Sequence, residues 1–123
     1  MSMPLSYITT TTNLNDLFKS IRKHDRMNLN IRVALELYEP KKTLFAQTSD
    51  ISLGGMACYI PTELNVKDEL TVVLQIPYSK ERLYLKAVVR NRNSFRYGLE
   101  FTEITPSEQD LLQKCMTTLQ CMQ

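Results

Sequence analysis

Two short patterns hold the residue types best suited to binding chemistry. Arg22 and Arg26 bracket Lys23, His24 and Asp25 in an R-x-x-x-R pattern. Asp50, Ser52 and Gly55 form a D-x-S-x-x-G pattern, with Gly54 inside it. Arginine carries a permanent planar charge and a fork of N–H donors. The fork grips a phosphate, or the O6/N7 edge of a guanine, with two parallel bonds, and it also stacks on a flat base. Two arginines on a stretch without regular period can hold different parts of one compact anion. The Asp50 carboxylate is complementary, since it accepts from the N1–H and N2–H edge that arginine cannot pair with. On a strand, Ser52 is expected to share a face with Asp50, because side chains alternate. Gly54 and Gly55 are two of only three glycines in the chain, and Gly55 is expected to permit a backbone conformation or a close approach that a side chain would block. Each pattern alone is weak, because D-x-S-x-x-G also describes an ordinary Asx turn. In this order, within an all-β context, they suit a ligand with negative phosphates and hydrogen-bonding base edges.

The elements that must position these residues are legible in the periodicity. Residues 13–21 place Leu14, Leu17, Phe18 and Ile21 on one stripe of a short helix, capped at Thr12 or Asn13. Strand alternation follows: Ile31, Val33, Leu35 and Leu37 face one way, while Arg32, Ala34, Glu36 and Tyr38 face the other. A turn at residues 39–42 leads to a strand over 44–51, and further strands are predicted over 56–60, 70–76, 83–90 and 95–101. The period then changes. Thr105, Pro106 and Glu108 make a capping box with proline at the first helical position, and Leu111, Leu112, Cys115, Met116 and Leu119 form the stripe of a C-terminal helix. The expected fold is mainly β: a six-stranded antiparallel barrel with a C-terminal α-helix over one opening and a short N-terminal helix.

Composition narrows the function classes. A chain of 123 residues is one domain, and 43% hydrophobic with 23% charged residues is the balance of a globular protein. No apolar run reaches the ~18 residues of a membrane span, and the polar, Thr-rich N-terminus carries no secretory signal, so a cytoplasmic location is expected. The three cysteines, Cys58, Cys115 and Cys121, have no metal-ligand spacing, and His24 is the only histidine. The cysteines read as small buried or half-buried side chains. No metal site and no nucleophile–base pairing is expected, which argues against an enzyme. Arg82, Lys86, Arg90, Arg92 and Arg96 form a run with no acid among them. It reads either as a solvated basic strand edge or as a field that attracts an anion. With Tyr84, Phe95 and Tyr97 interleaved, the run also supports an alternative: single-stranded nucleic-acid binding by a small barrel. The alternation of Tyr97 with Phe95, Leu99 and Phe101 counts against it by placing Tyr97 in the core.

The two motifs together resemble the signature of PilZ domains, bacterial receptors for cyclic di-GMP. The resemblance extends over residues 21–119. It includes the segment Leu83 to Arg90, which is similar to a family strand ending in V-x-R, and Tyr97-Gly98-Leu99-Glu100-Phe101, which is similar to its Y-G-x-x-F strand. The resemblance implies a six-stranded barrel with a C-terminal helix, a tail and short helix over residues 1–20, and a PilZ-like domain over 21–123. It implies that Arg22 and Arg26 bind phosphate and guanine, that Asp50 and Ser52 bind guanine or phosphate from the barrel surface, and that Gly54 and Gly55 keep the site open. Many members have a second arginine where this chain has Lys23, which keeps the charge but not the planar fork. Arg90, outward with Lys86, is a further candidate contact. The implied function is a non-enzymatic receptor with no cofactor. It would order its arginine segment on cyclic di-GMP and pass the signal to an unidentified protein partner, in motility or biofilm regulation. The alternatives are the nucleic-acid reading and a ligand-independent protein-interaction module.

Overall fold

Seven stretches of alternating or continuously apolar sequence become strands in the computed structural model, which describes residues 26–123. They are β1 (Met27–Asn28), β2 (Arg32–Tyr38), β3 (Lys41–Ile51), β4 (Gly55–Tyr59), β5 (Glu69–Gln75), β6 (Arg82–Asn93) and β7 (Arg96–Phe101), followed by helix α1 (Pro106–Met122). The short helix expected over residues 13–21 lies outside the described residues. All pairings are antiparallel, in the order β1-β3-β2-β5-β6-β7-β4, and β4 pairs back onto β3. Six strands, β2 to β7, therefore close into the expected barrel. β1 is a two-residue addition that lies on the same edge of β3 as β2, with Met27 opposite Ile51 and Asn28 opposite Asp50.

The alternation sets which face is inside. In β2, Val33, Leu35 and Leu37 are buried while Arg32, Glu36 and Tyr38 are exposed. In β6, Leu83, Leu85, Ala87 and Val89 are buried. These side chains meet Met56, Leu70, Leu74, Leu99 and Phe101 in one core, where each buried aliphatic or aromatic side chain contributes about 1.5–3 kcal/mol. Tyr97 is fully buried, and its hydroxyl is satisfied twice. It donates to the Thr62 carbonyl and accepts from the Leu64 N–H, both at 2.9 Å. That ties the loop between β4 and β5 onto the core.

The capping box forms as its residues dictate. The Thr105 hydroxyl accepts from the Glu108 N–H, the Glu108 carboxylate accepts from the Thr105 N–H, and Pro106 opens the helix. Leu112, Cys115 and Met116 are buried, with Leu111 and Leu119 partly so, and the helix packs against β1.

Several local expectations are corrected. Lys41 and Lys42 belong to β3, so the hairpin turn reduces to Glu39 and Pro40. β6 runs on to Asn93, and Phe95 sits in a two-residue turn rather than in β7. Ser94 takes φ 59° there, the positive backbone angle that short hairpins require. Phe95 is consequently half exposed instead of joining Tyr97 in the core. Cys121 is exposed, whereas Cys58 and Cys115 are buried. The basic run is not a strand edge, because β6 is paired on both sides. Four of its five cations meet acids from elsewhere in the chain: Lys86 with Glu103, Arg90 with Glu100, Arg92 with Glu63 and Arg96 with Asp50.

Candidate ligand-binding cleft

The second motif straddles the end of β3. Asp50 is the penultimate residue of that strand, and its side chain is only 16% exposed. The ladder between β3 and β4 shifts between Thr48 and Asp50, leaving Ser49 in a bulge. A bulge re-aims the side chains beside it. Pairing of β3 ends at Ile51, so Ser52 does not continue the strand, and the expectation that it alternates with Asp50 on one strand face is corrected. Ser52 is instead buried at the start of a tight turn. Its hydroxyl accepts from the N–H groups of Gly54 at 3.1 Å and Gly55 at 3.2 Å, and its own N–H donates to the Gly55 carbonyl at 2.8 Å. The local hydrogen bonds of a hydroxyl to N–H groups two and three residues on make this turn, and they win over the strand period.

Gly55 then begins β4 pressed against β7. A Cβ built there would lie 2.0 Å from the Leu99 carbonyl oxygen. Its backbone angles are not in the left-handed region, so the requirement is close approach and not an unusual conformation. Gly98 opposes Asn91 across the β6–β7 ladder, and a Cβ there would meet the Asn91 amide at 2.6–2.9 Å. That ladder also shifts, between Val89 and Asn91, which leaves Arg90 in a second bulge.

These features surround an open cleft of about 380 Å³, lined among others by Arg26, Ser52, Gly55, Arg90 and Glu100. Arg26 enters from the residue before β1 and bonds the Asp50 carboxylate, Nη1 to Oδ1, at 2.5 Å. The other carboxylate oxygen faces Arg96 Nη2 at 3.6 Å. Arg90 is held by Glu100, Nε to Oε1, at 2.5 Å. Among the described residues, two guanidinium groups thus stand at the cleft, each steadied by a carboxylate. Arg26, Arg90 and Arg96 are 47–55% exposed, so their forks reach water and any anion arriving from it. Behind the site, burial pushes the Cys58 thiol up to about 12, and the nearby Arg96 charge only partly opposes this. That thiol is neutral and unreactive at ordinary pH.

Of the eight residues expected from sequence, Arg22 and Lys23 lie outside the described residues. Arg26, Ser52, Gly54, Gly55 and Arg90 line the cleft, and Asp50 is bonded to Arg26 at its margin. Sequence reasoning did not select Asn91, Gly98, Glu100 or Arg96. Gly98 had a signal, as the glycine of the Y-G-x-x-F strand, and Glu100 lies two positions beyond it. Asn91 had none and Arg96 only its place in the basic run, because the bulge and the turn that place them are invisible in a hydrophobic period. Among the described residues no cluster of His, Cys, Asp or Glu could hold a metal, and no helix is long and apolar enough to cross a membrane.

Comparison with known proteins agrees with this architecture. No curated protein matches the sequence. Among solved structures, the PilZ domain of CeSA from a cellulose-synthesizing bacterium superposes with a TM-score of 0.62 at 18% identity, covering 77% of this chain and 97% of that one. The PilZ domain of YcgR from Escherichia coli, solved with c-di-GMP, gives 0.64 at 17% identity, covering 82% and 92%. The Bacillus subtilis inhibitor of motility MotI/DgrA gives 0.62 at 20% identity, covering 83% of this chain but only 52% of that protein. At these identities the likeness establishes the fold. A family model described as PilZ domain matches residues 20–117, and the chain belongs to the PilZ domain family.

Proposed function

We propose that this protein is a non-enzymatic receptor for cyclic di-GMP, with residues 21–123 as the sensing domain and residues 1–20 as an appended segment. The observation that carries this reading is the meeting of the two motifs. Arg26 from the first bonds Asp50 from the second beside a cleft floored by Ser52, Gly54 and Gly55. Arg26 and Arg90 supply forks for phosphate oxygens or the guanine O6/N7 edge, and Asp50 accepts from the opposite guanine edge. Gly55, with no side chain, lets β4 close on β7 and so shapes the floor of the cleft.

The ligand and Asp50 compete for Arg26. An ion pair whose arginine is half exposed is worth about 0.2–1 kcal/mol, and Asp50 keeps Arg96 as a second partner, so exchanging the pair for a dianionic ligand costs little. Arg96 remains to compensate Asp50 once Arg26 has turned away. Arg22 and Lys23 lie four and three residues upstream of Arg26, and they close on the same ligand in this reading. Their segment becomes ordered, and the altered surface presents itself to a partner protein. A cytoplasmic site of action follows from the messenger, and an output in motility or biofilm control follows from the family.

The nucleic-acid alternative loses support. Tyr97, which would have to stack on bases, is fully buried, and most of the cations between residues 82 and 96 are neutralised by acids.

Calorimetric titration with cyclic di-GMP tests the proposal, run beside an Arg22→Ala, Arg26→Ala double variant. Saturable binding lost in the variant is expected. A folded wild-type protein that takes up no ligand would refute the receptor role, and hydrolysis of the dinucleotide would refute the non-enzymatic one.

A further inference from the structure

We infer that a second face of the barrel, which meets the cleft region only at Arg96, docks an acidic protein segment carrying apolar side chains. The face is set by register. Arg32 on β2 opposes Gln47 on β3, Gln47 opposes Tyr59 on β4, and Tyr59 opposes Arg96 on β7. All four are exposed, so they form one outward row across four strands, roughly 14 Å long at ~4.8 Å per strand. Phe45 and Phe95 lie beside this row. Phe45, Tyr59 and Phe95 are each about half exposed, at 51%, 50% and 50%. They border a depression of about 490 Å³ that is mostly apolar and contains Ile60 and Pro61.

Its composition is that of a protein interface centre. Aromatic residues and arginine are enriched there, whereas lysine and carboxylates are depleted. The lining of this depression holds one arginine, three aromatics and no lysine, aspartate or glutamate.

Charge then selects the partner. Among the described arginines, Arg26, Arg90, Arg92 and Arg96 each have a carboxylate within 4.0 Å, and Arg32 and Arg82 have none. The Arg32 guanidinium carbon instead lies over the Phe45 ring, 4.1 Å from its centroid, a cation–π contact that uses none of its N–H donors on a carboxylate. Arg32 and Arg82 both line an adjoining depression that shares Phe45 with the first. Among the described residues, the two arginines without an acid therefore both lie at or beside this face, and carboxylates on a partner would complete them. The face adjoins a third depression across Tyr59. Successive hollows suit an extended chain, whose same-side residues recur every ~6.6–6.8 Å. Two unpaired arginines are too few to track a nucleic-acid backbone, and Glu36 stands in the second hollow. The inference does not depend on the messenger, because none of Arg32, Phe45, Tyr59 and Phe95 lines the Arg26 cleft.

The test is an amide-resolved NMR titration of the full chain with three probes. They are synthetic peptides alternating Asp or Glu with Leu or Phe, the same peptides with every carboxylate replaced by its amide, and oligodeoxythymidine. The acidic peptides are expected to saturate and to shift the amides of Arg32, Phe45, Tyr59 and Phe95. The amide versions and an Arg32→Glu variant should bind about tenfold more weakly or worse. Phe45→Ser should lose binding while keeping the melting temperature of the wild type, since the ring is half exposed. Shifts confined to other surfaces, no saturation with any acidic peptide, tighter binding of oligodeoxythymidine, or the same shifts on simple concentration of the protein would each overturn it. The last result would assign the face to a second copy of the chain.

Discussion

Arg26 and Asp50, twenty-four positions apart in sequence, are bonded to each other at 2.5 Å. The pairing of Asn28 with Asp50 in the β1–β3 step brings them together, so the two motifs meet through backbone register. Each group holds the other in place, and each is half of what a phosphate-bearing guanine ligand would need. Arg26→Ala should therefore change stability little, by about 1 kcal/mol or less, because the Arg26 side chain is half exposed and Arg96 still faces the Asp50 carboxylate. It should weaken cyclic di-GMP binding about 10–100-fold, the worth of one or two charge-assisted hydrogen bonds. Thermal melting and titration on the same variant separate the two effects. A large loss of stability would show the pair to be structural rather than poised for ligand.

The two glycines facing the cleft are predicted to differ. Gly55→Ala places a methyl group 2.0 Å from the Leu99 carbonyl oxygen, a backbone atom fixed in the β4–β7 ladder. Something in the barrel must shift, at a cost of about 1–3 kcal/mol or more. Gly98→Ala meets only the end of the Asn91 side chain, which is exposed and can swing away. Melting temperatures should show Gly55→Ala well below the wild type and Gly98→Ala close to it. Equal losses would mean that Asn91 is held as firmly as the strand backbone.

The contrast between these glycines also shows what the sequence could reveal. The barrel was legible because a buried inner face and a wet outer face impose alternation, and the helix because Thr105, Pro106 and Glu108 have few other uses in that order. Arg26, Asp50 and Gly55 were legible because charge, acceptor and missing side chain are properties of residue type. Ser52 was misplaced because its hydroxyl bonds the N–H groups of Gly54 and Gly55 and ends the strand early. Arg90 and Ser49 sit in bulges, which break the two-residue period without altering composition. Phe95 looked like core until the turn at Ser94 put it outside. The basic run looked free because its acids, Glu63, Glu100, Glu103 and Asp50, come from other parts of the chain, and only the fold brings them near.

Tyr97 provides a test of the loop that follows β4. Its hydroxyl bonds both the Thr62 carbonyl and the Leu64 N–H, and Leu64 is itself buried. Tyr97→Phe keeps the ring and removes both bonds, leaving buried polar backbone without a partner. A loss of about 1–3 kcal/mol is expected in denaturant unfolding. Hydrogen exchange at Leu64 should accelerate more than at the core amides of β6. Unchanged exchange at Leu64 would show that its N–H finds another acceptor.

The cysteines separate by burial, and one of them gives the protein an alkaline sensitivity. Cys121 is exposed on the last turn of α1, while Cys58 and Cys115 are buried and both have raised thiol pKa values, Cys58 from 9.0 to about 12, because burial disfavours the thiolate. In the native protein near pH 8, iodoacetamide should label Cys121 alone, with the other two reacting after unfolding. For Cys58 the linkage follows from the direction of the shift. Between 9.0 and about 12 the folded chain keeps a proton that the unfolded chain has released. The stabilisation is whole below pH 9 and is lost as the pH rises toward 12. A Cys58→Ala variant should be less stable at neutral pH, because it opens a small cavity, yet its stability should fall less steeply than that of the wild type between pH 9 and 11. Parallel pH profiles for the two proteins would show that the buried thiol contributes nothing to the alkaline transition.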